Sequence, residues 1–354
     1  MKYYLVVFVL MISFSCKNET EKSDRNISRV WIKDIMIDSL RSIRTINLID
    51  DNVYYACNNG RYGIVMENGA QVIDNIQFDS IIPSFRSSGY TSQGFFITSL
   101  STPALIYKYT KHHKFNLFTE KVTLVYKETH PKAFYDSMDF WNDEEGIAIG
   151  DPTADCMSII ITRDGGETWN KLSCDILPKA KEGEAAFAAS DTNIAIVGDR
   201  TWVATGGKVS RVMFSPDKGK TWEVFETPII QGGETKGIFS IDFYDELNGF
   251  AIGGDYTKPR ENAANKIRTE DGGKTWKLIA MNKNPGYRSC IQYVPNGNAK
   301  ALVAVGFNGI DYSNDAGNSW KHLSDEGFYT IRFLNDSVAY AAGKGRISKL
   351  TFKE

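Results

Sequence analysis

Histidine is scarce in this chain, with four in 354 residues, which leaves little material for a His-rich metal site. Cysteine is sparse too: there are five, no two are spaced as CxxC, and so neither a zinc knuckle nor a thioredoxin-type pair is present. There is no basic excess, since 41 Lys and Arg stand against 43 Asp and Glu for a net charge of -2. That balance excludes a surface built to neutralise nucleic-acid phosphates. No G-x-G-x-x-G opens a helix, and there is no P-loop, HExxH, G-x-S-x-G or EF-hand loop, so no cofactor and no metal is called for. Proline is limited to ten residues, whereas glycine reaches thirty, aromatics 12% and tryptophan seven. With 42% hydrophobic residues the chain is not disordered, and the balance points to aromatic-rich strands joined by tight turns.

The first 28 residues read as an address. Lys2 supplies a short positive region, residues 5–12 form an unbroken apolar run, and Ser13-Phe14-Ser15-Cys16 follows. A run this short before a small residue and a Cys is an export signal rather than a spanning helix. It resembles a bacterial lipoprotein signal, which implies lipidation at Cys16, although Ser13 stands where such signals usually carry Leu. Plain secretory cleavage after Ser15 is the alternative. Residues 1–15 are therefore expected to be signal, 16–28 a polar tether, and 29–354 one domain. Each buried methylene of an acyl anchor contributes about 0.8 kcal/mol, so a diacyl chain would hold the protein firmly on a membrane. In an oxidising compartment, Cys156 and Cys174, which flank a hairpin turn near residue 165, are expected to form a cross-strand disulfide. The alternative is that all four remaining cysteines are small buried apolar groups.

Internal repeats decide the architecture. Four segments share the pattern Ser/Thr-x-Asp-x-Gly-x-Ser/Thr-Trp, carried by Asp164 and Trp169, Asp217 and Trp222, Asp271 and Trp276, and Asp315 and Trp320. In each, the carboxylate is placed to accept N–H groups across its own turn, the Gly to adopt a left-handed conformation, and the Trp to open the next strand. A second motif precedes the boxes: residues 140–151 read FWNDEEGIAIGD, 187–199 read FAASDTNIAIVGD, and 243–255 read FYDELNGFAIGGD. Each reads as an aromatic ending a first strand, a polar turn, then a small-residue second strand closing at Gly. A repeat of roughly 40–50 residues with four strands per unit predicts a β-propeller. Residues 46–75 and 78–127 supply two units without a box, and residues 329–352 supply three strands whose missing fourth is offered by residues 30–37. The expectation is an all-β, seven-bladed ring of four-stranded antiparallel blades, with six or eight as alternatives, closed by an N-terminal strand.

The boxes and the strand-Gly-Asp motif, over residues 133–345, resemble the BNR/Asp-box propellers. Within them the chain is most similar to the photosystem II stability/assembly factor-like family, which has bacterial envelope members. Relatives of this type are sometimes labelled oxidoreductases, for which this sequence offers no motif. Sialidases and sortilin-like receptors share the box, so it speaks to fold and not to activity. The box residues are read as turn staples on one face. The binding surface is expected on the opposite face, from Asp151, Asp199, Arg200, Trp202, Asp255, Tyr256 and Arg260 in long loops, with Tyr287. Glu184, Lys236 and Arg288 are expected near the axis. Turn capping is the simpler role for Asp151, Asp199 and Asp255. The reading is a monomeric, membrane-tethered scaffold for an envelope protein or glycan, with no nucleic-acid partner. The alternative is a sialidase-like glycosidase using Arg200, Arg260, Arg288, Tyr256, Glu184 and Asp151, although the Arg-Ile-Pro motif of such enzymes is absent. His112-His113 reads as a solvated hairpin tip.

Overall fold

The computed structural model describes residues 25–100, 102–110 and 121–354. The signal, Cys16, the tether up to residue 24 and the His112-His113 pair lie outside the described residues. Every regular element among the described residues is a β-strand. Four sheets contain four strands, one contains six and one contains seven.

The seven-stranded sheet turns on a single long strand, Arg29–Ile49. Its first part, Arg29 to Ser42, pairs with the Lys344–Lys353 strand, and its last part, Ile43 to Ile49, pairs with Asn52–Cys57. One strand thus completes the last unit at its outer edge and begins the first unit at its inner edge. The six-stranded sheet is a four-stranded unit extended by two short strands, Glu184–Ala185 and Gly206–Gly207. The inner strands pack in succession. Arg29–Ile49 contacts Phe85–Thr91, which contacts Tyr135–Phe140, then Ile194–Val197, Lys236–Phe243, Cys290–Tyr293 and Thr330–Phe333, and the last contacts Arg29–Ile49 again. Apolar side chains fill the spaces between neighbouring sheets, as where Trp202 stacks on Phe243 at 3.7 Å.

The four repeated turns have a common geometry that their sequence explains. In the third, Asp271 Oδ1 accepts the Thr275 amide at 2.9 Å and the Thr269 hydroxyl at 2.8 Å, while Oδ2 accepts the Thr275 hydroxyl at 2.6 Å. Asp164, Asp217 and Asp315 accept the same set. These bonds hold all four carboxyls below the ordinary range, although burial opposes them more than any single bond assists. The third-turn Gly273 has φ +86°, and a Cβ there would lie 2.8 Å from Trp202 Nε1 in the preceding sheet. Glycine is required both for the turn and for the close approach.

One copy of the second motif departs from its expected register. Ile194–Val197, read from sequence as a second strand, is the inner strand of its sheet, followed by Arg200–Ala204, Arg211–Ser215 and Glu223–Glu226. Gly198-Asp199 therefore lies in the first turn of that unit, on the same face as the repeated Asp turns. The cause is the segment before it. Asp191 takes φ 59°, and residues 189–193 cross the axis of the molecule instead of running straight into the strand.

That crossing segment bonds to every other unit. Asp191 Oδ2 accepts the Thr45 hydroxyl at 2.6 Å and the Ser88 amide at 2.9 Å, and Oδ1 accepts the Met138 amide at 3.1 Å. Asn193 Oδ1 accepts the Ser137 hydroxyl, and the Thr192 hydroxyl bonds to that of Ser240. Ser190 donates to the Ser289 carbonyl at 2.6 Å, while Thr330 and Arg332 donate to the carbonyls of Ser190 and Asp191. An Asp191→Ala substitution strands the Ser88 and Met138 amides in a buried site, where each unpaired group costs about 1–3 kcal/mol. Urea denaturation is expected to show a loss on the order of 3 kcal/mol or more for this variant. Asp271→Ala, in a turn open to water, is expected to lose only about 1–2 kcal/mol.

Candidate functional site

The crossing segment divides the axis into two cavities. On the face of the repeated Asp turns, a polar recess of roughly 160 Å³ is lined by Asp139, Asp191, Asp242, Asn47, Gln292 and Arg332. Burial pushes the carboxyls of Asp139, Asp191 and Asp242 up to about 6, 7 and 7, against the pull of their backbone bonds and of Arg332. A larger polar cavity of roughly 380 Å³ lies at the rim of this face, between Arg25, Asn314 and Asp336. On the opposite face the axis opens into a bowl of roughly 270 Å³.

The bowl is built from the starts of the inner strands. Phe134, Tyr287 and Tyr329 precede or open their strands, Phe239 lies within Lys236–Phe243, and Phe187 precedes the crossing segment. Tyr256 and Phe307 come from loops on the same face and are 46% and 41% exposed, so they form the rim. The rings brace one another: Phe187 stacks on Phe239 at 3.8 Å, and Tyr287 meets Phe239 edge-on at 4.8 Å and Phe307 at 5.3 Å. Arg44 and Arg86 also line the bowl, from the first two units. Arg44 lies over the Tyr329 ring at 4.0 Å and donates one bond to the Ala189 carbonyl. Arg86 makes no hydrogen bond among the described residues, and its Nε is buried without a partner, as is that of Arg44. Burial first, and then the neighbouring Arg44 charge, lowers the Arg86 guanidinium to about 10. Asp136 is the acid that opposes this charge. Burial drives its carboxyl well above the ordinary range, reinforced by Asp151, and neither oxygen has a well-aligned hydrogen-bond partner.

The described structure aligns along nearly all its length with solved structures of one architecture. A structure of YCF48 bound to D1 peptide superposes with a TM-score of 0.66 at 12% identity, over 93% of this chain and 97% of that one. YCF48 from Cyanidioschyzon merolae gives 0.61 at 9% identity, over 91% and 98%. A streptogramin B lyase gives 0.66 at 15% identity, over 92% and 98%. The fold is a β-propeller. No family model and no curated relative matches the sequence. At these identities the likeness speaks to the propeller alone and not to an activity.

The propeller separates the residues singled out from sequence. Tyr256 and Tyr287 meet in the bowl. Lys236 pairs across strands with Asp255 at its edge, and Arg260 is exposed in a nearby loop. Asp255 caps its own turn, accepting the Thr257 amide and hydroxyl, and Asp151 accepts the Ala186 amide at 2.8 Å. Trp202 is not a surface residue: it is fully buried, stacked on Phe243, with Nε1 donating to the Gly272 carbonyl. Asp199 and Arg200 belong to the opposite face, where Arg200 pairs with Glu246 at 3.0 Å and Asp199 with Lys218 at 3.4 Å. Both placements follow from the shifted register of this unit. Glu184 and Arg288 are committed to buried ion pairs rather than free at the axis. Glu184 receives Arg211 through both oxygens at 3.0 and 2.6 Å, and Arg288 Nε donates to Asp311 at 2.7 Å. Arg200, Arg260 and Arg288 therefore do not gather about one carboxylate. Cys156 and Cys174 are joined in a disulfide, with Cα atoms 5.5 Å apart, and Cys57 and Cys290 are buried thiols. The Asp155 carboxylate lies beside that disulfide, whose sulfurs have no thiolate to offer a metal.

The ring residues other than Tyr256 and Tyr287, and both bowl arginines, escaped the sequence reading. A signal existed, because Gly237-Ile238-Phe239, Gly286-Tyr287 and Gly327-Phe328-Tyr329 each set an aromatic just after a Gly at the start of an inner strand.

Two expectations test these assignments. Removing one partner of a buried ion pair costs about 3–5 kcal/mol, so Arg288→Ala should be strongly destabilised in urea titrations, and Arg260→Ala should stay within about 0.5 kcal/mol of the native chain. In the polar recess, a carboxyl with a folded pKa above its unfolded value binds its proton more tightly when folded. Its contribution is present at low pH and lost as pH rises from about 4 to about 6. Asp139→Asn should therefore gain in Tm relative to the native chain between pH 4.5 and 7.5. Because Asp139 still touches water in the recess, the gain is on the order of 1 kcal/mol.

Proposed function

We propose that this protein is a seven-bladed propeller, closed by the N-terminal strand, that serves as a binding scaffold for a protein partner. The partner would be held at the face opposite the repeated Asp turns. The observation that carries this reading is the bowl. Seven aromatic rings and two arginines from all the units converge on the axis of one face, over a floor sealed by residues 189–193. Rigid aromatic and Arg side chains in a concave, desolvated site are the residue types that dominate protein recognition. The YCF48 structure with a D1 peptide is a propeller of similar shape engaged with a peptide, which supports the same class of role here. The repeated turns act as Asp-box staples in this reading, as in the photosystem II stability/assembly factor-like proteins the chain resembles. Lipidation at Cys16 and a polar tether would hold a monomeric propeller at a membrane of the cell envelope, with the face free to meet its partner.

Capture from solubilised envelope tests this. The native chain and Arg200→Glu are expected to retain one specific protein, whereas Tyr256→Ala combined with Phe307→Ala is expected to lose it at least tenfold while the chain stays folded, with only a modest fall in Tm from the lost ring contacts. Cys16→Ser is expected to move the protein from the membrane to the soluble fraction. Equal capture by the rim variant would remove the bowl from the reading.

A further inference from the structure

The bowl holds more positive charge than its surroundings neutralise. Arg44 and Arg86 line the same bowl, close enough for the Arg44 charge to depress the Arg86 guanidinium, and each carries a buried Nε with no acceptor. Among the described residues no carboxylate lines the bowl beside them, and Asp136, the acid that opposes Arg86, is buried where its charged form is disfavoured. A buried donor without an acceptor is costly, and a guanidinium donor more so. The walls around the pair are aromatic rings, with Phe187 and Phe239 lying parallel and Tyr287 and Phe307 tilted beside them. The space is roughly 270 Å³, the size of a small organic molecule.

We propose that the bowl is a binding site for a carboxylate carried on a flat apolar body, with the carboxylate on Arg44 and Arg86 and the body among the rings. A planar carboxylate matches the planar fork of a guanidinium through two parallel bonds, and its single charge is taken out of water more readily than a phosphate dianion. The uncharged lining selects the apolar body, and the arginines at its base select the end. This deepens the reading above, because the same bowl is placed at the centre of the partner-binding face. The carboxylate can be that of a free aryl acid or of a residue at the end of a chain, and the probes separate the two.

The experiment is calorimetric titration of the purified full chain with benzoate, N-acetylphenylalanine, benzamide and phenyl phosphate. Binding of benzoate or N-acetylphenylalanine at least tenfold tighter than benzamide and phenyl phosphate is expected. A free aryl acid as the source favours benzoate, and a chain end favours N-acetylphenylalanine. Arg86→Gln is expected to weaken the better acid at least tenfold, and it removes no hydrogen bond from the fold. A measurement without any variant stands beside it: the better acid should raise the Tm of the native chain where equal benzamide does not. Equal binding of acid and amide, a preference for phenyl phosphate, or undiminished binding by Arg86→Gln would overturn the proposal. Failure here is distinct from failure of the scaffold reading. Partner capture that depends on Tyr256 and Phe307 but resists competition by either acid leaves the scaffold standing and removes the carboxylate site.

Discussion

The left-handed turn at Asp191 is the constraint on which the rest of the molecule depends. A propeller of twisted sheets leaves a hollow on its axis, lined by inner strands whose axis-facing edges have no further strand to pair with. Here that hollow is filled by residues 189–193, whose carboxylate and carbonyls accept from the inner strands of neighbouring and distant units, and whose Ser190 and Thr192 hydroxyls donate to others. The segment acts as a hub to which the sheets are spoked. It also sets the depth of both axial cavities, so the polar recess and the aromatic bowl are two sides of one element. The buried acids around it sit in an environment that disfavours their charge, which fits a hub held by hydrogen bonds rather than by ion pairs.

Much of the architecture was legible because the repeated turns are local chemistry. Thr269, Asp271, Gly273 and Thr275 satisfy one another within seven residues, so their pattern survives as a short motif whatever lies around it. The pairing of the N-terminal strand with the C-terminal one was legible for a different reason, since a three-stranded unit leaves an edge that needs covering. What was not legible was register in the unit that carries Asp191. Its small-residue strand resembles the others in composition, and only the path of the preceding residues across the axis moves it inward by one place. That shift carried Trp202 from a presumed loop into the core, and Asp199 and Arg200 to the far face.

The site was less legible than the fold, for a physical reason. Long, charged loops drew attention, yet Glu184 and Arg288 turned out to be locked in buried pairs with Arg211 and Asp311, partners 27 and 23 residues away in sequence. Such pairing depends on three-dimensional neighbours that spacing alone does not reveal. The bowl instead draws single aromatic residues from many units, of which only Phe187 belongs to a repeated motif, and becomes visible only when the inner strands converge. Its two arginines are conspicuous because each has a buried Nε without an acceptor, whereas Arg211 and Arg288 are matched to buried carboxylates.

The long Arg29–Ile49 strand has a consequence for how the molecule comes into being. Its first half finds its partner only in residues 344–353, at the other extreme of the chain. During synthesis, that half has nothing to pair with until the last strand emerges, so the first and last units are completed together and at the end. The same strand continues without a break into the inner edge of the first unit. An early error in its register would therefore be felt at both units at once, and the edge that the strand offers to the last unit stays uncovered until residues 344–353 pair with it.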